Sequence, residues 1–252
     1  MIQYPINLFW DGAPLEKFEL LNLKSFLVND HNVNVFTYNR KIFDIVSHKN
    51  LSIIDANEII NKSELFYYKG HGDCPINSVC GFSDIFRYEL LYRVGGWYLD
   101  FDITCLKNFN DTFFNKKEIV IKPHNKFSLI SNTIKMPKGH NICKVLREET
   151  EQKINKDNNS YIRPLEIFKT VLYDHGVEQF TVSNEYFGND DMKEIYSLLH
   201  SYSTSKKQLK NRYCIHWCRT AIKTGTWSVK VLYDLNNPLP DSFLSYLYFK
   251  YT

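Results

Sequence analysis

The chain has 252 residues, 44% of them hydrophobic and 15% aromatic, with a formal net charge of +3. That length buries a substantial core, the composition excludes a disordered or fibrous chain, and so small a charge gives the whole molecule no case for binding nucleic acid. No run of about 18 apolar residues marks a membrane-spanning helix, and Met1 to Trp10 lacks the basic start and long apolar centre of a secretory signal, so the chain is expected to stay in the cytoplasm.

Ile6 to Trp10 is a short apolar run closed by the turn residues Asp11 to Pro14, and reads as a strand. Leu15 to Val28 reads as a helix with Leu20, Leu23 and Leu27 on one side, and Val33 to Tyr38 as the next strand. Strand, helix and strand with short connections begin a parallel sheet through a right-handed crossover. Ligands of such sheets bind beyond the carboxyl ends of the strands. Trp10, with Phe9 beside it, is therefore a candidate platform for a nucleotide base; the plainer reading is an aromatic of the core or rim. Leu51 to Asp55 reads as a strand and Glu58 to Leu65 as a helix.

The stretch from Ser83 to Asp102 carries most of the information. Ser83 suits a helix N-cap, Asp84 sits where a helix start favours negative charge, and no Gly or Pro interrupts the run before Gly95-Gly96. Phe86, Leu90 and Val94 give that helix a buried side, while Asp84 and Arg87 share another face near its start. Gly95 can stop the helix in the left-handed conformation. Alternation then sends Trp97, Leu99, Phe101 and Ile103 to one side of a strand and Tyr98, Asp100 and Asp102 to the other. The two neighbouring carboxylates, with no Lys or Arg within the strand, favour a hard divalent cation such as Mn²⁺ or Mg²⁺. Two other readings stand beside this one. Asp100 and Asp102 can be an exposed strand edge with Asp84 and Arg87 as a surface ion pair. Asp100-x-Asp102-x-Thr104 also fits the nucleophile motif of haloacid dehalogenase-type phosphatases, with Gly188 to Asp191 as an acidic metal loop.

Further along, Ile119 to Lys122 and Leu129 to Met136 read as strands, and Pro137 to His140 starts a helix that runs to about Glu149. Lys153 to Ser160 is polar and reads as a surface loop. Pro164 suits a first helical position, followed by an apolar stripe of Leu165, Phe168, Val171 and Leu172. Tyr213 to Trp217 reads as a strand. The six cysteines are expected to be reduced thiols, and Cys214-x-His216-x-Cys218 lacks the second ligand pair of a familiar zinc site. Between Ser201 and Lys230 seven basic residues occur without an acid, a local patch for a nucleotide diphosphate, an anionic glycan or an anionic lipid surface, or simply a solvated face. The tail from Asp241 to Tyr251 has helical apolar spacing, for docking on the body or resting on a membrane.

Ser83-Asp84-x-x-Arg87 followed by Gly95-Gly96-x-Tyr98-x-Asp100-x-Asp102 resembles the signature of the glycosyltransferases that share a sugar-binding DXD region, family 32 of the sequence-based classification. That group includes yeast mannosyltransferases, bacterial polysaccharide transferases and, distantly, the clostridial glucosylating toxins. Trp10 is similar to the family's first-strand end, Asn132 to His140 to its Asn...Pro-Gly-His segment, and His216-Trp217...Gly225-Thr226-Trp227 to its His-Trp...Gly-Ser-Trp close. Three departures stand out: Lys138 is inserted between Pro137 and Gly139, Arg163 precedes Pro164 where the family has Gly, and Thr226 replaces Ser.

The resemblance implies an α/β fold of the GT-A type, a Rossmann-like mixed sheet flanked by helices with a small helical acceptor-side addition. It implies one domain, 1–252, with a nucleotide-sugar and metal core over 1–150, an acceptor side over 151–212 and a closing segment over 213–252. The implied activity is a retaining, Mn²⁺- or Mg²⁺-dependent hexosyl transfer from a UDP- or GDP-sugar to a glycan acceptor, without nucleic acid; a metal-dependent sugar-binding protein without turnover stands as a further alternative beside the phosphatase. Asp100, Asp102 and His216 would hold the metal, with Asp84, Arg87, Asp100 and Asp102 as the catalytic set. Phe9, Trp10, Ser83, Asp84, Arg87, Tyr98, Asn132 and Trp227 would bind the donor. The setting implied is synthesis of bacterial capsule or lipooligosaccharide, with the 201–230 stretch or the tail touching the inner membrane leaflet.

Overall fold

The computed structural model describes residues 4–69, 77–109, 113–126, 128–154, 162–188, 190–202, 209–224 and 233–252. Its strands are Ile6–Trp10 (β1), Val33–Thr37 (β2), Leu51–Asp55 (β3), Gly96–Leu99 (β4), Ile103–Cys105 (β5), Val120–His124 (β6), Ser128–Met136 (β7) and Cys214–His216 (β8). Its helices are Lys17–Val28 (α1), Cys80–Arg93 (α2), Asn141–Lys153 (α3), Ile162–Asp174 (α4), Asn184–Phe187 (α5), Met192–His200 (α6), Arg219–Thr224 (α7) and Phe243–Tyr251 (α8). Six strands form a mixed sheet in the order β3-β2-β1-β4-β7-β6, and β5 pairs with β8 in a second sheet of two.

β1, β2, β3 and β4 run parallel, and β4-β7 and β7-β6 are antiparallel. The order reverses at β1, since β2 lies on one side of it and β4 on the other. A crevice opens at such a switch point beyond the carboxyl ends of the two strands. Trp10 ends β1 and Asp100 follows β4, so chain topology alone brings both to that crevice.

Strand alternation divides the core in two. Phe9, Phe36 and Tyr98 pack on one face of the sheet with the apolar sides of α2, α3 and α4. Leu8, Val35, Trp97 and Leu99 pack on the other with Leu23, Phe26 and Leu27 of α1. α1 is buried on a second side as well, because Phe18 and Leu21 face α6, α7 and α8. The single apolar stripe expected for this helix, with Leu20 in it, is therefore too narrow, and Leu20 is only half-buried. The tail docks: Phe243, Leu244, Leu247 and Tyr251 of α8 are buried in that third cluster. Among the described residues no helix is long and apolar enough to cross a membrane.

Three expected elements differ. Glu58 to Leu65 is not a helix but a pair of single 3-10 turns, Ala56–Glu58 and Lys62–Glu64, each capped by its preceding side chain, Asp55 or Asn61. α2 begins three residues earlier than Ser83, at Cys80, and Ser83 is no N-cap: its hydroxyl donates to the Cys80 carbonyl at 2.8 Å inside the first turn. The earlier start exploits Gly81, where a Cβ would run into the Tyr68 ring. The acidic strand is interrupted: β4 ends at Leu99, Asp100 to Asp102 form a turn, and β5 leaves the main sheet to pair with β8.

α1 holds that turn in place. The Ser25 hydroxyl accepts the Cys105 N–H at 2.8 Å, the Asn22 amide donates to the Phe101 carbonyl at 3.2 Å, and Thr104 donates to Asn22. On the other side the Trp217 indole N–H donates to Thr104 at 2.7 Å. Asn7, fully buried in β1, donates to the carbonyls of Gly95 at 3.2 Å and Trp97 at 2.8 Å and so fixes the start of β4. Gly95 itself has φ +71, and a Cβ there would press on the backbone of Lys138. The left-handed conformation costs a side-chain-bearing residue about 1–2 kcal/mol before any clash. Gly95→Ala is expected to lower unfolding free energy by roughly 2 kcal/mol or more, read as a shift of the urea midpoint without a change of slope.

Candidate active site

A cleft of about 190 Å³ opens at the switch point, lined by the start of α2, the turn after β4, the middle of β7, the start of α4 and the residues around β8. β7 reaches it through a bulge. Ile121 pairs with Ile134 but Lys122 with Ile130, so Ser131, Asn132 and Thr133 face no partner on β6. Ser131 and Asn132 line the cleft as a result.

Arg87 rises into the floor from α2 with its side chain only 4% exposed. It donates to Asp84, to the Ser131 hydroxyl and, at 2.6 Å, to Asp100, while its guanidinium lies 4.8 Å over the Tyr98 ring. One cation thus ties Asp84 to Asp100. Burial raises the Asp84 carboxyl to about 6, against the pull of Arg87 and with Asp100 adding to the rise. Burial also raises Asp100, again opposed by Arg87 and reinforced by Asp102.

Asp102 belongs to a second chain of charges. Its carboxylate lies 3.3 Å from His216 Nε2 and accepts the Arg219 backbone N–H at 2.9 Å. The other ring nitrogen, Nδ1, is 3.1 Å from Asp190 and 2.8 Å from the Asn132 amide. Asp190 also accepts from Asn132 at 3.1 Å and from Lys122, which is completely buried. Burial works against charge on His216, but Asp102 and then Asp190 outweigh it and hold its pKa well above the ordinary imidazole value. The converse holds for Asp102, whose pKa His216 lowers in spite of burial.

The premise of two carboxylates without a neutralising neighbour is therefore corrected. Arg87 and His216, neither of them on the strand, stand against Asp100 and Asp102. Four carboxylates nevertheless meet three cations here, Arg87, Lys122 and protonated His216, so negative charge remains in excess. Asp100, Asp102 and His216 offer ligand atoms within 4.8 Å of one another. Once His216 has given up its Nε2 proton, two carboxylate oxygens and one imidazole nitrogen with open space beyond are a donor set that fits Mn²⁺ or Mg²⁺.

The other expected site residues divide clearly. Ser83, Asp84, Arg87, Asn132 and His216 all line the cleft. Phe9 does not: it is 5% exposed and stacks on Phe86 at 4.1 Å inside the core, so it is no base platform. Tyr98, 1% exposed, lies beneath Arg87 and supports it instead of facing a donor. Trp10 is half-buried outside the lining, its indole N–H donating to the Ala13 carbonyl at 2.7 Å and its ring 5.9 Å from the Arg219 guanidinium. Trp227, with the Gly225-Thr226 before it, lies outside the described residues. The described part of the basic stretch is largely paired with distant acids: Arg219 with Glu19 at 2.7 Å, Lys223 with Glu16 at 2.9 Å and Arg212 with Glu194 at 2.6 Å. Thr104, bound to Asn22 and Trp217, is fully buried and structural, which removes it from the phosphatase reading.

Asp190, Lys122, Ser131 and Cys218 belong to the site or its support without having been assigned to it from sequence. Asp190 had a signal in the acidic run after Gly188, and Cys218 in the Cys-x-His-x-Cys spacing, but neither spacing says that β6, β7 and β8 converge. Cys214 lies at the far end of β8 from His216, opposite Cys105, and packs in the core.

A mixed sheet with a carboxylate pair following the strand at its switch point is the architecture of the GT-A glycosyltransferases. The fold compares with "Crystal structure of the glycosyltransferase GlyE in Streptococcus pneumoniae TIGR4" at TM-score 0.56 and 13% identity, covering 100% of this chain and 60% of that one. The apo form of the same protein gives 0.50 at 13% identity over 86% and 54%. "PaToxG Glycosyltransferase" gives 0.48 at 16% over 83% and 84%. This chain thus spans about 60% of the length of the pneumococcal protein. None of the curated proteins matches it in sequence. Residues 23–128 match the family described as "Glycosyltransferase sugar-binding region containing DXD motif". The chain carries that region on a fold similar to that of the pneumococcal glycosyltransferase.

Proposed function

We propose that this protein transfers a hexose from a UDP- or GDP-sugar to a glycan acceptor with retention of configuration, with Mn²⁺ or Mg²⁺ held by Asp100, Asp102 and His216. The observation that carries the reading is the convergence of those three side chains, from β4's end and β8, on the mouth of one cleft. When bound, the cation stabilises negative charge on a departing diphosphate and templates its oxygens. Arg87 holds Asp100 in position and connects it to Asp84. Asp84, beside the cleft at the start of α2, orients sugar hydroxyls, and a site that hydrogen-bonds a hydroxyl rejects sugars lacking it. Asn132 supplies a further polar contact at the cleft wall. The Arg219 N–H at the start of α7 donates to Asp102 and holds that carboxylate toward the cleft.

Trp10 remains the base platform in this reading, with Arg219 over its ring. A base stacked on an aromatic gains about 1–3 kcal/mol. Trp10→Ala is expected to raise KM for the nucleotide sugar about tenfold, with kcat changing far less; steady-state kinetics check this. The acceptor enters beside Pro164 and Leu165 of α4, which line the cleft. Composition rich in Asn, Lys, Ile and Phe supports a bacterial setting, with surface polysaccharide such as capsule or lipooligosaccharide as the product.

A panel of nucleotide sugars tested with Mn²⁺ by thermal shift identifies the donor, since a ligand that binds the folded state stabilises with the logarithm of its concentration. One UDP- or GDP-sugar is expected to raise Tm and to be hydrolysed slowly without acceptor. Turnover of simple phosphate esters in place of nucleotide sugars would contradict the proposal. The anomeric configuration of the released or transferred sugar, followed by NMR, tests retention.

A further inference from the structure

His216 presents two nitrogens to two different sets of ligands. Nε2 faces Asp102, within the oxygen-rich group at the mouth of the cleft. Nδ1 faces Asp190 at 3.1 Å and the Cys218 sulfur at 3.4 Å, and the ligand atoms of Asp190, His216 and Cys218 again lie within 4.8 Å of one another. Zinc bonds to sulfur at about 2.3 Å and to nitrogen or oxygen at about 2.0–2.1 Å in a tetrahedron. Those lengths place a sulfur and a nitrogen ligand about 3.5 Å apart and a nitrogen and an oxygen ligand about 3.3 Å apart. The two separations made by His216 Nδ1, to Asp190 and to Cys218, need almost no adjustment.

We infer that Asp190, His216 Nδ1 and Cys218 form a zinc-binding site, distinct in ligand chemistry from the Asp100 and Asp102 site and antagonistic to it. A thiolate, an imidazole and a carboxylate are a set that zinc takes in preference to magnesium or manganese. All three residues line the cleft, so a metal there can be reached from it. Lys122 and Asn132 remain on Asp190 as outer partners that orient its carboxylate. Asp190 and Cys218 both hold the left-handed backbone conformation, at φ +59 and +50, which persists in non-glycine residues where the surrounding structure holds it. Zinc displaces the thiol proton and the proton on Nδ1 into solvent. The imidazole then carries its remaining proton on Nε2 and has no lone pair there for a second cation. Zinc and manganese therefore oppose each other through one ring, and by linkage each weakens the other equally. This antagonism rests on His216 being a manganese ligand as proposed above; the zinc site itself does not.

The test uses the full chain stripped of metal. Cobalt(II) added alone is expected to give a thiolate-to-cobalt charge-transfer absorption that zinc abolishes. Cys218→Ser is expected to remove that band and weaken zinc binding about 10- to 100-fold. Zinc is also expected to protect the Cys218 peptide of the unaltered protein from alkylation, a measurement that needs no variant to fold. A cobalt complex without the thiolate band, or Cys218 alkylated equally with and without zinc, would overturn the site. Manganese affinity, followed by electron paramagnetic resonance, is expected to fall at least tenfold when zinc is present. An unchanged manganese affinity beside an intact cobalt–thiolate band would overturn the antagonism alone.

Discussion

Asp102→Asn is expected to reduce both sugar transfer and acceptor-free donor hydrolysis by about 10²–10³-fold or more, while leaving the fold intact. The substitution preserves shape, and the amide oxygen can still accept the Arg219 N–H that Asp102 accepts at 2.9 Å. The Asp102 backbone carbonyl keeps its bond from the Trp217 N–H at 3.1 Å. What disappears is one negative charge among four carboxylates, and with it the excess that attracts a divalent cation. His216 then faces an amide in place of a carboxylate. Manganese affinity should fall together with kcat, and Tm without metal should move little. Full activity in Asp102→Asn would mean that Asp102 is merely a partner of His216.

Lys122→Met is expected to cost about 3–5 kcal/mol of stability, the range for removing one member of a buried ion pair. The Lys122 side chain is fully buried and Asp190 is 3% exposed, so no water replaces the lost ammonium. Asp190→Asn should cost a similar amount, since it leaves Lys122 without its carboxylate. The double variant should be more stable than the sum of the two losses implies, because residues in contact couple. Urea denaturation of the four proteins in the cycle gives the coupling directly; strict additivity would show that Lys122 and Asp190 act independently.

The parts of the fold that rest on local pattern were legible in sequence. Strand alternation placed Trp97 and Leu99 opposite Tyr98, and the Gly95-Gly96 pair marked where α2 stops, because these are properties of a few successive backbone dihedrals. Asp84, Arg87, Asp100 and Asp102 were legible for the same reason, since one helix and the strand after it carry all of them. The start of α2 was misplaced because Gly81 makes room for a ring 13 positions away in sequence, which no local signal records. Phe9 and Trp10 differ by one position yet face opposite ways, and only the position of α2 decides which is covered. Asp190 could not be assigned because its contacts with Lys122 and Asn132 span 68 and 58 residues and depend on the bulge that turns β7 inward. The break after Leu99 likewise comes from Asn22, Ser25 and Trp217, all distant in sequence.

Diffraction from crystals soaked with manganese and the donor's nucleoside diphosphate, collected at a wavelength where manganese scatters anomalously, tests the assignment of the cleft most directly. The anomalous peak is expected within bonding distance of Asp100 or Asp102, about 2.0–2.3 Å from a carboxylate oxygen, with diphosphate oxygens completing its shell. A nucleotide bound elsewhere, or bound in the cleft with neither aspartate touching the ion, would contradict it.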